Sequence, residues 1–162
     1  MRTQTMRPVF VAALGLGLLG TACGADDGGD DGMEVDCSTV TGTDVFVVGL
    51  EKPGAGGTLD FKMMSATPAP PARGDNSWVF QINTMASGVV GSPLDNATIK
   101  VTPFMPSHQH GSPIQVQATP MADPGTYKLE PVNLWMPGVW ETTIQASSGT
   151  SSDSVVYKFC IE

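Results

Sequence analysis

From Asp44 onward the chain reads as an all-β domain, an antiparallel β-sandwich of about seven to eight strands. Three observations predict it. Short β-branched or aromatic runs alternate with clusters of Gly, Pro, Ser and Asn, and no helical periodicity follows residue 23. Within the runs, apolar residues fall on alternate positions, the spacing that gives a strand one buried face.

Residues 1–22 read as an export signal. Arg2 and Arg7 precede the apolar run VFVAALGLGLL (9–19), which is too short to span a bilayer as a mature helix and leads to small residues. GTAC (20–23) resembles a bacterial lipobox, with Cys23 as the residue lipidated after cleavage. Gly20 stands where that pattern has a large aliphatic, and Leu19 stands one position earlier. The alternative is an ordinary signal-peptidase site that leaves Cys23 as a free thiol. Residues 23–36 then form a lipidated cysteine and a tether, because ADDGGDDGMEVD is too acidic and Gly-rich to bury a core. Fully extended, Gly24 to Asp36 reaches roughly 45 Å. The implied partner is a membrane, held through the lipid. No acid directly follows Cys23, which points to the outer membrane as the location.

The chain carries a formal charge of −8, and removal of residues 1–22 takes Arg2 and Arg7 but no acid, giving −10. From Cys37 to the end, 10 acids face 6 bases. That balance excludes a nucleic-acid partner, whose phosphates require a basic face. With Cys23 assigned to lipid, Cys37 and Cys160 are expected to form a disulfide in an oxidising compartment. A two-cysteine metal pair is the weaker alternative, since neither residue has a CxxC partner or a nearby histidine.

The domain, residues 37–162, is predicted to place strands at 44–50, 58–65, 77–84, 97–104, 113–119, 126–134, 139–147 and 154–161. Trp78, Phe80 and Ile82 share one face, as do Ile99 and Val101, Tyr127 and Leu129, and Trp140, Thr142 and Ile144. Trp78 and Trp140 are expected in the core, with Trp135 partly exposed beside a turn. ATPAPPARGDN (66–76) reads as an extended surface connection and ASGVVGSPLDN (86–96) as a turn-rich loop.

If successive strands run in opposite directions, connections alternate between the two ends of the sandwich. The loop after Phe104 and the turn at 135–138 then fall at one end, together with Cys37 and Cys160. Met85 and Met121 fall at the other. This count matters because FMPSHQHGS (104–112) holds both histidines of the chain, and LWMPGVW (134–140) repeats its aromatic-Met-Pro start.

GDNSWVFQI, PLDNATIKVTPFMPSHQHGS and PGTYKLEPVNLWMPGVWETTIQ together resemble the YtkA-like domain family over Gly74 to Gln145. The resemblance lies in a strand opening after Gly-x-Asn, a Met-Pro-x-His-x-His-Gly-like loop, a Gly-x-Tyr strand and a Met-Pro-Gly-x-Trp turn. Gln109 between the histidines departs from the small residue usual there, and residues 37–73 have no counterpart. The resemblance implies an extracytoplasmic, immunoglobulin-like sandwich. Related FixH-like proteins are associated with assembly of copper-containing oxidases. It also implies a candidate metal set of Met105, His108, His110 and Met136.

Thioethers with imidazoles suit Cu(I), so copper is the cofactor this set implies, in metal handling or oxidase assembly. At i, i+2, His108 and His110 would point to one side of an extended segment. No carboxylate adjoins them to orient a ring. The same residues have a second account, in which Met-Pro and Met-Pro-Gly supply turn geometry and apolar caps while the histidines are solvated. An enzyme is not expected, because the histidines lack an acid partner and no G-x-S-x-G turn is present. The rival class is a non-metal cell-envelope module, binding or structural, that recognises protein or glycan partners through its loops. No particular protein partner follows from the sequence.

Overall fold

The computed structural model describes residues 35–162. The signal, Cys23 and the tether up to residue 34 lie outside the described residues. A single 3₁₀ turn at Cys37–Thr39 opens the domain, with Asp36 accepting hydrogen bonds from the Ser38 amide and hydroxyl.

Ten strands follow: β1 Leu50–Pro53, β2 Leu59–Thr67, β3 Gly74–Ala86, β4 Val89–Pro93, β5 Thr98–Met105, β6 His110–Gly111, β7 Gln117–Pro120, β8 Thr126–Leu134, β9 Gly138–Ser148 and β10 Ser151–Ile161. All pair antiparallel in two sheets. One has the order β1-β2-β3-β8-β7, with β4 also on β3, and the other has the order β10-β9-β5-β6. The molecule is the expected all-β sandwich, with more strands than the expected seven to eight.

The differences from the expected strands lie where local chemistry overrode propensity. Residues 44–49, rich in valine, form no ladder: the Asp44 amide donates to the Lys158 carbonyl, its carboxylate accepts from the Lys158 amide, and only Leu50–Pro53 pairs with β2. The 86–96 stretch contains β4 because Ser87 and Gly88, both at positive φ, form a two-residue hairpin turn that sets Ala86 opposite Val89. At 113–119 the strand is confined to β7, since Ser112 caps a local turn through the Ile114 amide and carbonyl.

The core lies between the sheets. Leu59, Phe61 and Met63 of β2 and Trp78, Phe80 and Ile82 of β3 face Trp140 and Ile144 of β9 and Tyr157 and Phe159 of β10, all buried. Aromatic edges cross the gap, with Trp78 to Phe159 at 5.8 Å and Phe80 to Tyr157 at 5.1 Å between ring centroids. Each such pair adds about 0.5–1.5 kcal/mol beyond its burial. The Tyr127 hydroxyl donates to the Leu94 carbonyl at 2.6 Å and accepts from the Ala97 amide at 2.9 Å, which fixes the chain where it passes from β4 to β5 and changes sheet.

Along the outer edge of β10, groups from residues 44–59 close on the open strand. Thr58 Oγ1, the Ala55 amide, Lys52 Nζ and the Asp44 amide donate in turn to the carbonyls of Ser152, Ser154, Val156 and Lys158. Asp153 accepts from the amides of Gly56, Thr58, Leu59 and Ser154. Burial by itself raises the Asp153 pKa, but these amides together hold it below the ordinary carboxylate value. An edge whose carbonyls are taken up this way is a poor template for an incoming strand. Asp60, nearby on β2, is buried with one carboxylate oxygen unpartnered. Burial and then the Glu51 charge raise its pKa, with Lys62 opposing.

Candidate functional site

The site is built from two turns. In the first, β5 delivers Met105 into the core at 0% exposure, and Pro106 opens a four-residue loop that closes where His110 pairs with Met105 and Gly111 with Phe104. The His108 amide donates to the Met105 carbonyl and the Gln109 amide to the Pro106 carbonyl. Gln109 sits at φ 55, so the segment turns where an extended run was expected. The two imidazoles still come together, with ring centroids 5.7 Å apart, but through a turn rather than strand alternation. His108 is exposed at the loop tip and His110 is half-buried at its base.

The second turn joins β8 to β9 and is held by its own carbonyls. Arg73 Nε donates to the Trp135 carbonyl at 3.0 Å, and Trp140 Nε1 donates to the Met136 carbonyl at 2.9 Å. Gly138 has φ 130, and a Cβ there would lie 3.1 Å from the Met105 methyl. Only glycine lets this turn settle onto Met105. Met136 is half-buried above it and packs against the core.

The turns meet through His110, which stacks on Trp135 at 5.1 Å with 24° between planes and meets Trp140 edge-on at 6.0 Å. Met85 and Met121 lie at the opposite end, in the β3–β4 hairpin and before the β8 start, because Gly74 pairs with Leu134 and Gln81 with Thr126. Cys37 and Cys160 are joined by a disulfide, and Cys160 pairs with Val139 at the histidine end.

The donor set is imidazole and thioether, and among the described residues no group of three or more His, Cys, Asp or Glu converges. Two imidazoles on one ion hold their centroids at most about 6 Å apart, given metal–nitrogen bonds near 2.0 Å. The 5.7 Å separation satisfies that limit. His110 Nδ1 lies 3.3 Å from the Gly111 carbonyl; the tautomer that donates there leaves the unprotonated Nε2 with its lone pair free for a metal. The two imidazoles therefore fit one soft ion, and Met136 on the adjoining turn is the half-buried thioether that would complete the set. Met105 reaches it only by rotating its buried thioether outward.

Two residues of this arrangement were absent from the sequence-based site. Arg73 falls in the 66–76 stretch that reads as an extended surface connection. Its signal lay in the register, because Gly74 pairs with Leu134 and so brings Arg73 beside Trp135. Trp135 carried no local signal beyond its exposure.

Fold and site define an antiparallel β-sandwich domain with an imidazole–thioether loop pair at one end. The family model described as YtkA-like matches residues 56–145, more than half of the chain, and the chain belongs to the YtkA-like family. The match begins before Gly74 and takes in β2, so part of the region without an expected counterpart belongs to the family domain. Among solved structures, FetP from uropathogenic Escherichia coli strain F11 is similar at 12% identity over 68% of this chain and 95% of that one, with a TM-score of 0.40. PcoC, a methionine-rich copper resistance protein from Escherichia coli, is similar at 24% identity over 62% of this chain and 96% of that one, with a TM-score of 0.38. Neither likeness bears on what this chain binds. Nothing matches among curated proteins.

Proposed function

We propose that the protein is an exported lipoprotein of the cell envelope, anchored through Cys23 in the outer membrane, whose YtkA-like domain binds Cu(I) in metal handling or oxidase assembly. The observation that carries this reading is the approach of the two histidines of the chain to 5.7 Å on one turn, stacked through His110 and Trp135 against the turn that bears Met136. His110 is oriented by Trp135 and Trp140, His108 supplies a second imidazole from the loop tip, and the Met136 thioether adds soft character. The bound ion would supply a univalent, exchangeable copper centre. The protein is not an enzyme in this reading and takes no nucleic acid. The N-terminal basic-apolar pattern and the cysteine pairing support export.

Anaerobic titration of the full exported chain with Cu(I) against a competing chelator tests the metal role. Wild type should compete and the His108→Ala/His110→Ala variant should not; equal, weak binding by both sinks the metal reading. Intact mass of protein extracted from membranes tests the anchor, and an unmodified, freely soluble chain beginning at or after Cys23 overturns it.

A non-metal docking module for protein or glycan is the second reading. Val45, Val47 and Val48, each more than half exposed on the unladdered 44–49 segment, favour it as apolar surface away from the histidines.

A further inference from the structure

Trp135 has no task in the donor set, yet its placement is the most constrained of any exposed aromatic residue at that end. Its carbonyl is held by Arg73 and the next carbonyl by Trp140. Its ring lies nearly parallel to the imidazole of His110, and the side chain remains 41% exposed. The other two tryptophans are buried: Trp78 is in the aromatic core, and Trp140 spends its indole N–H on the Met136 carbonyl. Trp135 is the exposed tryptophan, and its ring is the one stacked on His110.

We propose that Trp135 is a specificity-determining residue of this site, its indole forming an electron-rich, water-excluding wall that favours a soft univalent ion over a hydrated divalent one. The proposal rests on the metal reading above. An indole face attracts a cation through its quadrupole, most strongly where water is excluded, and supplies no lone pair that would raise the coordination number. A univalent soft ion tolerates few ligands and little water. Divalent copper and zinc require further nitrogen, oxygen or water ligands, which the stacked ring pair leaves less room for on that side. The stack also ties the wall to a donor, because displacing the indole frees one face of His110.

The test uses the full exported chain and its Trp135→Ala and Trp135→Phe variants, titrated anaerobically with Cu(I) and Ag(I), and separately with Cu(II) and Zn(II), each against a chelator. Indole absorbance and emission are recorded throughout. Expected for Trp135→Ala is a loss of Cu(I) and Ag(I) affinity of about tenfold, with divalent affinities unchanged or raised. Trp135→Phe, which keeps an apolar ring and the fold, should lose less affinity but should lose the indole spectral change that univalent ions cause in wild type. Variants that bind Cu(I) as tightly as wild type, with the same preference over Cu(II), overturn the role of Trp135 while the metal reading stands. Wild type that binds no better than His108→Ala/His110→Ala overturns both.

Discussion

At the outer edge of β10, Asp153 takes the amides of Gly56, Thr58 and Leu59, while Lys52 bridges Asp44 and the Val156 carbonyl. At the histidine end, backbone groups of the two turns are likewise bonded, but the imidazoles and the Met136 thioether are not absorbed into such a network. Both regions carry polar side chains fixed in place by the fold. They differ in where the hydrogen-bonding capacity ends: inside the protein along the edge, and outward at the turns. Satisfied polar groups stabilise, whereas positioned but unsatisfied ones at a surface are free to take a ligand.

Breaking the comparison from the stability side should give the largest effect. Replacing both Cys37 and Cys160 with Ser reopens a loop spanning 123 residues, and urea unfolding should show a loss of about 4–5 kcal/mol in the chain-entropy account. Asp153→Ala leaves several amides without their acceptor and should cost about 2–3 kcal/mol in the same measurement, with metal binding unchanged. Gly138→Ala straddles the two regions. The positive φ makes it strained by about 1–2 kcal/mol, and the added methyl presses on Met105 beneath the turn, so stability and Cu(I) affinity should fall together. His108→Ala/His110→Ala should cost about 1 kcal/mol, chiefly the lost His110 stack on Trp135, while removing Cu(I) binding, whereas Asp153→Ala leaves binding intact.

The two aspartates near the edge sharpen the comparison through pH. The folded-state pKa of Asp153 lies below its unfolded value, so its stabilisation is present above the ordinary carboxylate pKa and is lost as pH falls through the folded-state value. The folded-state pKa of Asp60 lies above its unfolded value, so its ionisation opposes folding at neutral pH, and that penalty is relieved as pH falls through the raised value. Asp60→Asn should therefore be more stable than wild type at neutral pH and converge with it below the ordinary carboxylate pKa. Denaturant midpoints across pH check both slopes, and a parallel offset at all pH values would contradict the assignment for Asp60.

Much of the sandwich was legible because alternation is a direct consequence of a strand having one wet face and one dry face. The segment 126–134 appears as a strand over its full length, with Tyr127, Leu129, Val132 and Leu134 buried. The end assignment followed from antiparallel order alone and brought His110 to Trp135. What failed depended on groups remote in sequence. The valines of 44–49 have strong strand propensity, yet Asp44 binds β10 through its side chain and keeps that segment out of a ladder. β4 was hidden because Gly91, Ser92 and Pro93 are turn residues, and its register depends on Ser87 and Gly88. At the site, the histidines and methionines were legible as donor chemistry. The indole stack and the Arg73 contact were not, since both arise from register between strands rather than from any local pattern.

The cross-link also sets how the domain carries mechanical load. A pull on the chain ahead of Cys37 passes through the sulfur bridge to Cys160 on β10, whose ladder with β9 runs from Ser151 to Ile161. Residues 38–49, which join no ladder and are held to β10 through Asp44, lie outside that load path. Tension arriving from the N-terminal side is thus borne first by one of the most extensively paired strands of the sandwich, with the unladdered segment left out of the path.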